Sequence, residues 1–209
     1  GEDMYEKFLE LPADKQQRII NAAMEIFSKN DYKRAVTDDI AAKAGISKGS
    51  LFYYFYNKKS LYLYLYQYTT EKMAGQILDE AYWKITDFFE LLGYCARKKA
   101  EILVKNPYIL DFAVRSFYPD SEALSQDLNT YNQDFLDGIM DSYLKNVDFS
   151  KFREGTDPLY IFRMLIWMSD GYLHEKRTRN LPILLEDLMD EFNKWMNLLR
   201  PLLYKEEYL

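Results

Sequence analysis

Residues 37–55 read TDDIAAKAGISKGSLFYYF, and this stretch decides the fold of the N-terminal part of the chain. Its pattern predicts two short helices joined by a tight turn. Ala41 is small, as the crossing of two helices requires, and Gly45 can adopt the left-handed conformation that ends the first helix. Leu51 provides an apolar anchor on the second helix. These residue types at these spacings indicate a helix-turn-helix.

The polar residues that precede each helix are suited to cap its N-terminus. We expect Thr37 to cap the first helix, Ser47 the second and Asn57 the long helix that follows. Hydroxyl and amide oxygens at such positions accept hydrogen bonds from the free amides of the first turn. Capping would fix where each helix begins, and therefore which side chains of the second helix face outward.

The second helix carries side chains that can bind nucleic acid. Lysine supplies charge, small residues let a base edge approach the backbone, and tyrosine hydroxyls can donate to phosphates. Two more lysines follow at the next helix N-terminus, where free amides attract anions. A purely structural hairpin is the alternative, but two tyrosines flanked by phenylalanines cannot all point inward from one short helix. The candidate contacts are Thr37, Ser47, Lys48, Gly49, Ser50, Tyr53, Tyr54, Lys58 and Lys59.

Charge is distributed unevenly along the chain. The 209 residues include 27 Lys and Arg against 33 Asp and Glu, a net charge of -6. That balance alone would disfavour a nucleic-acid partner. Residues 28–60, however, contain seven basic and three acidic side chains, a local charge of +4, while the remainder carries 20 basic and 30 acidic ones, or -10. The pattern predicts a small basic segment on an acidic body.

Outside this segment the apolar residues recur with the period of 3.6 that is typical of helices, and no strand-like alternation of useful length appears. The sequence therefore predicts an all-α fold of about nine helices. A three-helix, helix-turn-helix domain is expected over residues 1–57, and a larger helical C-terminal domain over residues 58–209.

The apolar faces of the last two predicted helices can be interpreted in two ways. The first of them, at about residues 157–177, has one apolar face with Phe162 and Leu165 and another with Met164 and Trp167. These helices either close the core of one chain or pair with a second copy across a two-fold axis, and periodicity leaves both open. The candidate interface residues are Phe162, Leu165, Ile166, Leu188, Phe192, Trp195 and Leu199.

Reactive side chains are too scarce to indicate an enzyme, a metal site or a cofactor. The one cysteine, Cys95, lies on an apolar helical face, where an inert buried thiol is expected. The one histidine, His174, lies among charged residues at a helix end, and the eight glycines form no phosphate-binding loop. No stretch approaches ~18 uncharged apolar residues, and no signal peptide is visible. We expect a cytoplasmic protein that does not insert into membranes.

The stretch from about Lys15 to Leu65 resembles the tetracycline-repressor (TetR) family of bacterial transcription regulators. The resemblance covers IINAAMEIFSKNDY, then TDDIAAKAGISKGSLFYYF, then NKKSL. Three positions depart from the family pattern: Phe52 stands where tyrosine is more usual, Lys59 where an acid often begins the next helix, and Tyr56 is an unusual choice in the turn. The remainder of the chain is compatible only in the number and length of its helices.

The resemblance implies a transcription regulator, with repression as the expected outcome, that binds a palindromic DNA operator as a homodimer. Two recognition helices would enter successive major grooves, and the last two long helices would form the dimer interface. By the family pattern, Gly49 and Ser50 would face base edges. Phosphate contacts would come from Thr37, Lys48, Tyr53, Tyr54 and Lys58.

The resemblance also implies that the C-terminal domain binds a small-molecule effector. With 19 tyrosines and 13 phenylalanines, an aromatic lining is expected, although each ring taken singly is more often part of a core. An apolar or aromatic effector would suit it, or a cation if Glu90 faces inward. The alternative function is a small-molecule-binding or protein-interaction module that does not bind DNA. The candidate lining residues are Tyr66, Phe89, Tyr94, Phe112, Phe117, Tyr131, Phe135 and Trp167.

Overall fold

The computed structural model describes residues 2–117 and 119–209. Within these ranges the chain forms eleven α-helices and no β-strand, with short 3-10 helices at Glu2–Tyr5, Phe149–Lys151 and Glu206–Tyr208. The helices are α1 Glu6–Leu9, α2 Ala13–Lys29, α3 Thr37–Ala44, α4 Lys48–Phe55, α5 Lys58–Ile77, α6 Glu80–Lys84, α7 Phe88–Lys105, α8 Pro107–Phe117, α9 Glu122–Tyr143, α10 Pro158–Thr178 and α11 Leu185–Leu203.

The predicted all-α fold is confirmed, and each of the nine expected helices is present. The two additional helices, α1 and α6, contain four and five residues. Such lengths span little more than one turn, so the apolar period that identifies longer helices cannot reveal them. None of the described helices is long and apolar enough to cross a membrane.

The turn chemistry predicted for the helix-turn-helix is present at Gly45 and Ser47. Gly45 ends α3 in the left-handed region, with φ 70° and ψ 33°. The Ser47 hydroxyl accepts a hydrogen bond from the Ser50 amide at 3.0 Å, and so caps α4. The cap expected from Thr37 is wrong. Val36 holds the cap position with an extended backbone and Thr37 is already helical, so its hydroxyl cannot reach the first free amides from outside the helix.

The described chain forms two compact units. One comprises the residues up to 74 together with 103–133, and the other comprises 75–102 together with 134–209. The first unit includes more than the helix-turn-helix because α8 packs along α2. The boundary predicted after residue 57 is of a different kind, because it divides the DNA-contacting residues from the rest of the chain by function and not by compactness. This boundary stays a prediction.

The first unit has one apolar core to which most of its helices contribute. Its fully buried side chains include Phe8, Phe27, Leu51 and Tyr62. Arg115 of α8 closes the end of α2, since its Nε donates to the Ser28 carbonyl at 2.8 Å and its guanidinium pairs with Asp31 at 2.6 Å. Free carbonyls at a helix C-terminus favour a cation in this position.

The second unit is organised around the buried carboxylate of Asp87. Its Oδ1 accepts a hydrogen bond from the Glu90 amide at 2.9 Å at the start of α7, and its Oδ2 lies 3.2 Å from Lys151. Burial alone would raise the pKa of Asp87. The Glu90 amide and the Lys151 ammonium lower it by more than burial raises it, so the pKa of this carboxyl lies below its usual range. The surrounding core contains the rings of Phe88, Phe89, Phe152 and Tyr204.

Candidate nucleic-acid interface

Helix α4 buries one side and exposes the other. Leu51 and Phe55 are each 1% exposed, whereas Tyr53 is 61% exposed. Gly49 also lies in the open, and a Cβ atom there would meet only the Ser47 hydroxyl, at 3.9 Å. Near the start of the helix, the exposed side therefore has little side-chain bulk, so a base edge could approach the backbone closely.

The two adjacent tyrosines lie in different environments. Tyr53 faces solvent, while Tyr54 is half-buried with its ring centroid 6.4 Å from that of Phe8. A single step along a helix turns the side chain by about 100°, so neighbours on so short a helix cannot share one face. Tyr53 is the freer of the two to contact a ligand, and Tyr54 contributes partly to the core.

Two of the predicted lysines form exposed ion pairs. Lys48 lies 2.9 Å from Asp38, and Lys59 lies 2.9 Å from Asp127. Surface pairs of this kind contribute only ~0–1 kcal/mol to stability. Exchanging the carboxylate for a phosphate therefore costs little, and both lysines can serve a DNA-binding surface.

Lys58 is oriented differently from the phosphate contact that the sequence predicted. Its ammonium donates to the carbonyls of Tyr32 at 2.7 Å and Ala35 at 3.0 Å, and lies 4.6 Å from the centre of the Tyr32 ring. Burial lowers the pKa of Lys58, while the charge of Asp120 opposes that shift. In this arrangement Lys58 holds the loop that leads into α3. Thr37, the first residue of that helix, is half-buried.

Tyr56 occupies the turn between α4 and α5 in a strained conformation. Its φ is 69° and its ψ is -51°, and the Asn57 amide donates to the Phe55 carbonyl at 2.8 Å across it. This is the γ-turn with positive φ, which is rare and unfavourable for a residue that has a Cβ atom. The side chain is 79% exposed, so no packing compensates for the backbone conformation. Asn57 then caps α5 as predicted, accepting from the Ser60 amide at 2.8 Å.

The proximity of one basic residue to α4 could not be predicted from the sequence. Lys7 of α1 donates to the Tyr53 hydroxyl at 2.7 Å, across 46 residues of chain. Short-range patterns describe neighbours within a helix or turn, so a contact of this separation was not predictable from them.

The candidate effector residues fall into separate environments. Tyr66 and Tyr131 are brought together, with ring centroids 5.6 Å apart, and the Tyr66 hydroxyl donates to Asn132 at 2.8 Å. Phe112 and Phe89 are instead buried in the cores of the first and second units respectively.

The other candidates are less enclosed. The Tyr94 hydroxyl donates to Asp79 at 2.6 Å, Phe135 is half-buried, and Phe117 and Trp167 are exposed. Glu90, on which a cationic effector would have depended, is also exposed.

The predicted dimer residues of α10 and α11 pack mainly within their own unit. Leu165 is buried, and the partly buried Phe162, Phe192, Trp195 and Leu199 pack against the same core. Ile166 and Leu188 are half-buried. The apolar side chains that remain exposed lie on other faces of these helices, and they are Tyr160, Met164 and Trp167 of α10, Leu198 and Leu202 of α11, and Leu184 just before α11.

The surroundings of Cys95 are consistent with a structural role. Burial raises the pKa of the Cys95 thiol to about 11, so the thiolate is scarce at neutral pH, as expected of an inert cysteine. Among the residues that the structure describes, no three His, Cys, Asp or Glu side chains are grouped as a metal ion would require.

The helix-turn-helix region is similar to those of known bacterial regulators. Residues 19–65 match the family of bacterial regulatory proteins described as tetR. The chain is 35% identical over 65 residues to the fatty acid metabolism regulator protein of Bacillus subtilis, and 43% identical over 47 residues to the IcaR negative transcriptional regulator of the icaADBC biofilm operon in Staphylococcus aureus. These matches cover 31% and 22% of this chain, and only 31% and 25% of the relatives.

Solved structures resemble the chain over most of its length. SmeT, the repressor of a Stenotrophomonas maltophilia multidrug efflux pump, has a TM-score of 0.68 at 19% identity, covering 91% of this chain and 90% of its own. The regulator FadR of Bacillus subtilis, in complex with stearoyl-CoA, has a TM-score of 0.63 at 22% identity, covering 86% and 96%. The chain thus combines a bacterial regulator's helix-turn-helix with an all-helical fold found in solved transcriptional regulators. Residues 19–65 therefore form a helix-turn-helix region of the kind found in the tetR family of bacterial regulatory proteins.

Replacing Tyr56 by glycine is expected to raise the free energy of unfolding by about 1 kcal/mol, because glycine adopts positive φ without the cost that a Cβ atom adds. Tyr56→Ala is the matched control, since it also removes the ring but keeps the Cβ atom, and it should bring no such gain. Urea unfolding followed by circular dichroism measures both variants. Equal stability of the two would contradict the strain inferred at this turn.

Proposed function

We propose that the protein is a DNA-binding transcriptional regulator, a repressor that binds a palindromic operator as a homodimer through α4. The observation that carries this proposal is the two-sided character of α4. Buried Leu51 and Phe55 fix one side of the helix in the core, while Gly49 and Tyr53 are left open on the other. An α-helix presented in this way fits the major groove of B-DNA.

The contacts are assigned by what each exposed group can donate. Gly49 and Ser50 lie near the start of α4 and face base edges. Lys48, Tyr53 and Lys59 donate to phosphates, and the two lysines exchange their exposed carboxylate partners in doing so. The remaining predicted contacts are supported less directly, because Thr37 and Tyr54 are half-buried and the Lys58 ammonium is held by backbone carbonyls.

The dimer is proposed to form through exposed apolar side chains of α10 and α11. Tyr160, Met164 and Trp167 recur at intervals of four and three residues and so form one stripe along α10. Leu198 and Leu202 form a similar stripe on α11. Apolar area of this kind favours a self-complementary contact between two copies. The side chains first predicted for this role support the contact from within the unit.

A small-molecule effector is proposed to bind in the C-terminal part of the chain and release the protein from DNA. Among proteins of the same fold, FadR of Bacillus subtilis was solved with stearoyl-CoA and SmeT with triclosan. An apolar or aromatic effector for this chain is consistent with both. Tyr66 and Tyr131 are the candidate lining residues of the effector site whose rings are in contact with each other.

Release would follow from a two-state equilibrium. A homodimer reads a palindrome only when its two α4 helices are ~34–36 Å apart, one turn of DNA. An effector that binds better to a dimer with a different separation shifts the population away from the DNA-binding state, by no more than its difference in affinity for the two states. A protein with this role acts in the cytoplasm, where its DNA lies.

Replacing Tyr53 by alanine is expected to weaken DNA binding about tenfold or more, a loss of at least about 1.4 kcal/mol, while the fold is preserved because the side chain is exposed. The measurement is fluorescence anisotropy with a duplex recovered from a random pool, together with thermal unfolding. Tyr208→Ala, at an exposed position near the C-terminus, is the control and should bind normally. Unchanged affinity for Tyr53→Ala would exclude α4 as the DNA-binding surface.

Replacing Trp167 by glutamate is expected to weaken dimerisation at least about a hundredfold, because burying an unpaired carboxylate costs several kcal/mol. Sedimentation velocity over a range of protein concentrations measures the dissociation constant. Leu181→Glu places the same charge at an exposed position between α10 and α11 and is expected to leave the dimer intact. A wild-type chain that is monomeric, or a Trp167→Glu variant that dimerises normally, would contradict this interface.

A further inference from the structure

The segment before α2 is anchored on the helix-turn-helix by the buried aromatic side chain of Phe8. Phe8 of α1 is fully buried, and its ring centroid lies 4.6 Å from that of Phe55 and 5.1 Å from that of Tyr64. Tyr5 lies beside them and donates from its hydroxyl to the Ser60 carbonyl at 3.1 Å. The segment before α2 is therefore part of the first unit's core.

Hydrogen bonds also fix the backbone that follows Phe8. The side-chain amide of Gln16 donates to the carbonyls of Leu9 at 3.0 Å and Leu11 at 2.8 Å. The Leu11 amide in turn donates to the Phe8 carbonyl at 3.1 Å. The burial of Phe8 and the hydrogen bonds of this turn together fix the orientation of α1. They therefore determine which way its polar side chains point.

Lys7 is presented toward the exposed side of α4. Its Nζ donates to the Tyr53 hydroxyl at 2.7 Å and lies 4.3 Å from the centre of the Tyr53 ring. Both side chains are exposed to solvent. The hydrogen bond to Tyr53 raises the pKa of Lys7, which further favours the charged ammonium form.

A second lysine outside the helix-turn-helix lies near the neighbouring tyrosine. Lys15, in the first turn of α2, has its Nζ 5.9 Å from the centre of the Tyr54 ring. The tyrosines that end the exposed part of α4 are thus flanked by cations from residues 7 and 15. Both positions precede residue 19, where the match to the family begins, and Lys7 also precedes the stretch from about Lys15 that resembles the family.

We propose that Lys7 is a DNA-phosphate contact, supplied by the N-terminal segment and positioned by Tyr53. This inference rests on the proposed function. A phosphate oxygen that accepts a hydrogen bond from the Tyr53 hydroxyl lies within reach of an ammonium group 2.7 Å from that hydroxyl. One phosphate can therefore accept from both groups, which is the usual way in which proteins fix their register on a duplex.

The test is the salt dependence of DNA binding by Lys7→Gln. A lysine that neutralises a phosphate releases counterions, so its removal from both copies of a dimer should lower the slope of log affinity against log salt by about 1.8. The loss should be the same on a selected duplex and on one of scrambled sequence, because phosphate contacts carry no sequence information. Lys7→Arg, which keeps the charge, is expected to restore the steeper slope.

The matched control is Lys84→Gln, which removes an exposed lysine from α6 in the second unit. It should change neither the slope nor the affinity. Thermal unfolding of each variant separates loss of contact from loss of fold. A Lys7→Gln variant with normal stability and an unchanged slope would overturn the inference while leaving the proposed function intact. A wild-type chain that binds neither duplex would overturn the proposed function itself.

Discussion

The surface that this protein presents to a ligand depends on the burial of Leu51 and Phe55. Each is 1% exposed, and together they fix the rotation of α4 about its own axis. The helix has only eight residues, so its own hydrogen bonds contribute little to its stability and its position depends on these two side chains. Once they are buried, the geometry of the helix requires Gly49 and Tyr53 to lie on the other side. The buried side chain of Phe8 closes the same core, so the segment that carries Lys7 depends on the same burial.

The basic residues around α4 divide into those that support the structure and those that are free to exchange partners. Lys58 is held by three carbonyl oxygens of the loop before α3, a set of contacts that would have to break before it could reach a phosphate. Lys48 and Lys59 are paired with exposed carboxylates instead, and such pairs are easily exchanged. The local charge of +4 over residues 28–60 is therefore larger than the positive charge that these residues can present to DNA. Lys7 and Lys15, which lie outside this segment, add positive charge to the same surface.

Local chemistry made part of the structure predictable. Gly45 and Ser47 were identified because a left-handed turn and a helix cap each depend on one residue and its immediate neighbours. Contacts between distant residues had no such signal, as Lys58 with Tyr32 and Lys7 with Tyr53 show. Periodicity also could not decide between the two apolar faces of α10. It identified both, but only the packing shows that Leu165 is buried and Trp167 exposed.

The most direct test of the account is the selection of bound duplexes from a random pool by the wild-type protein. A homodimer that reads DNA with two α4 helices should enrich an inverted repeat whose half-sites are centred about 10 base pairs apart, or a multiple of that distance. Enrichment should weaken steeply as salt is raised. Recovery of no sequence above the input pool, or of a motif without two-fold symmetry, would contradict the account.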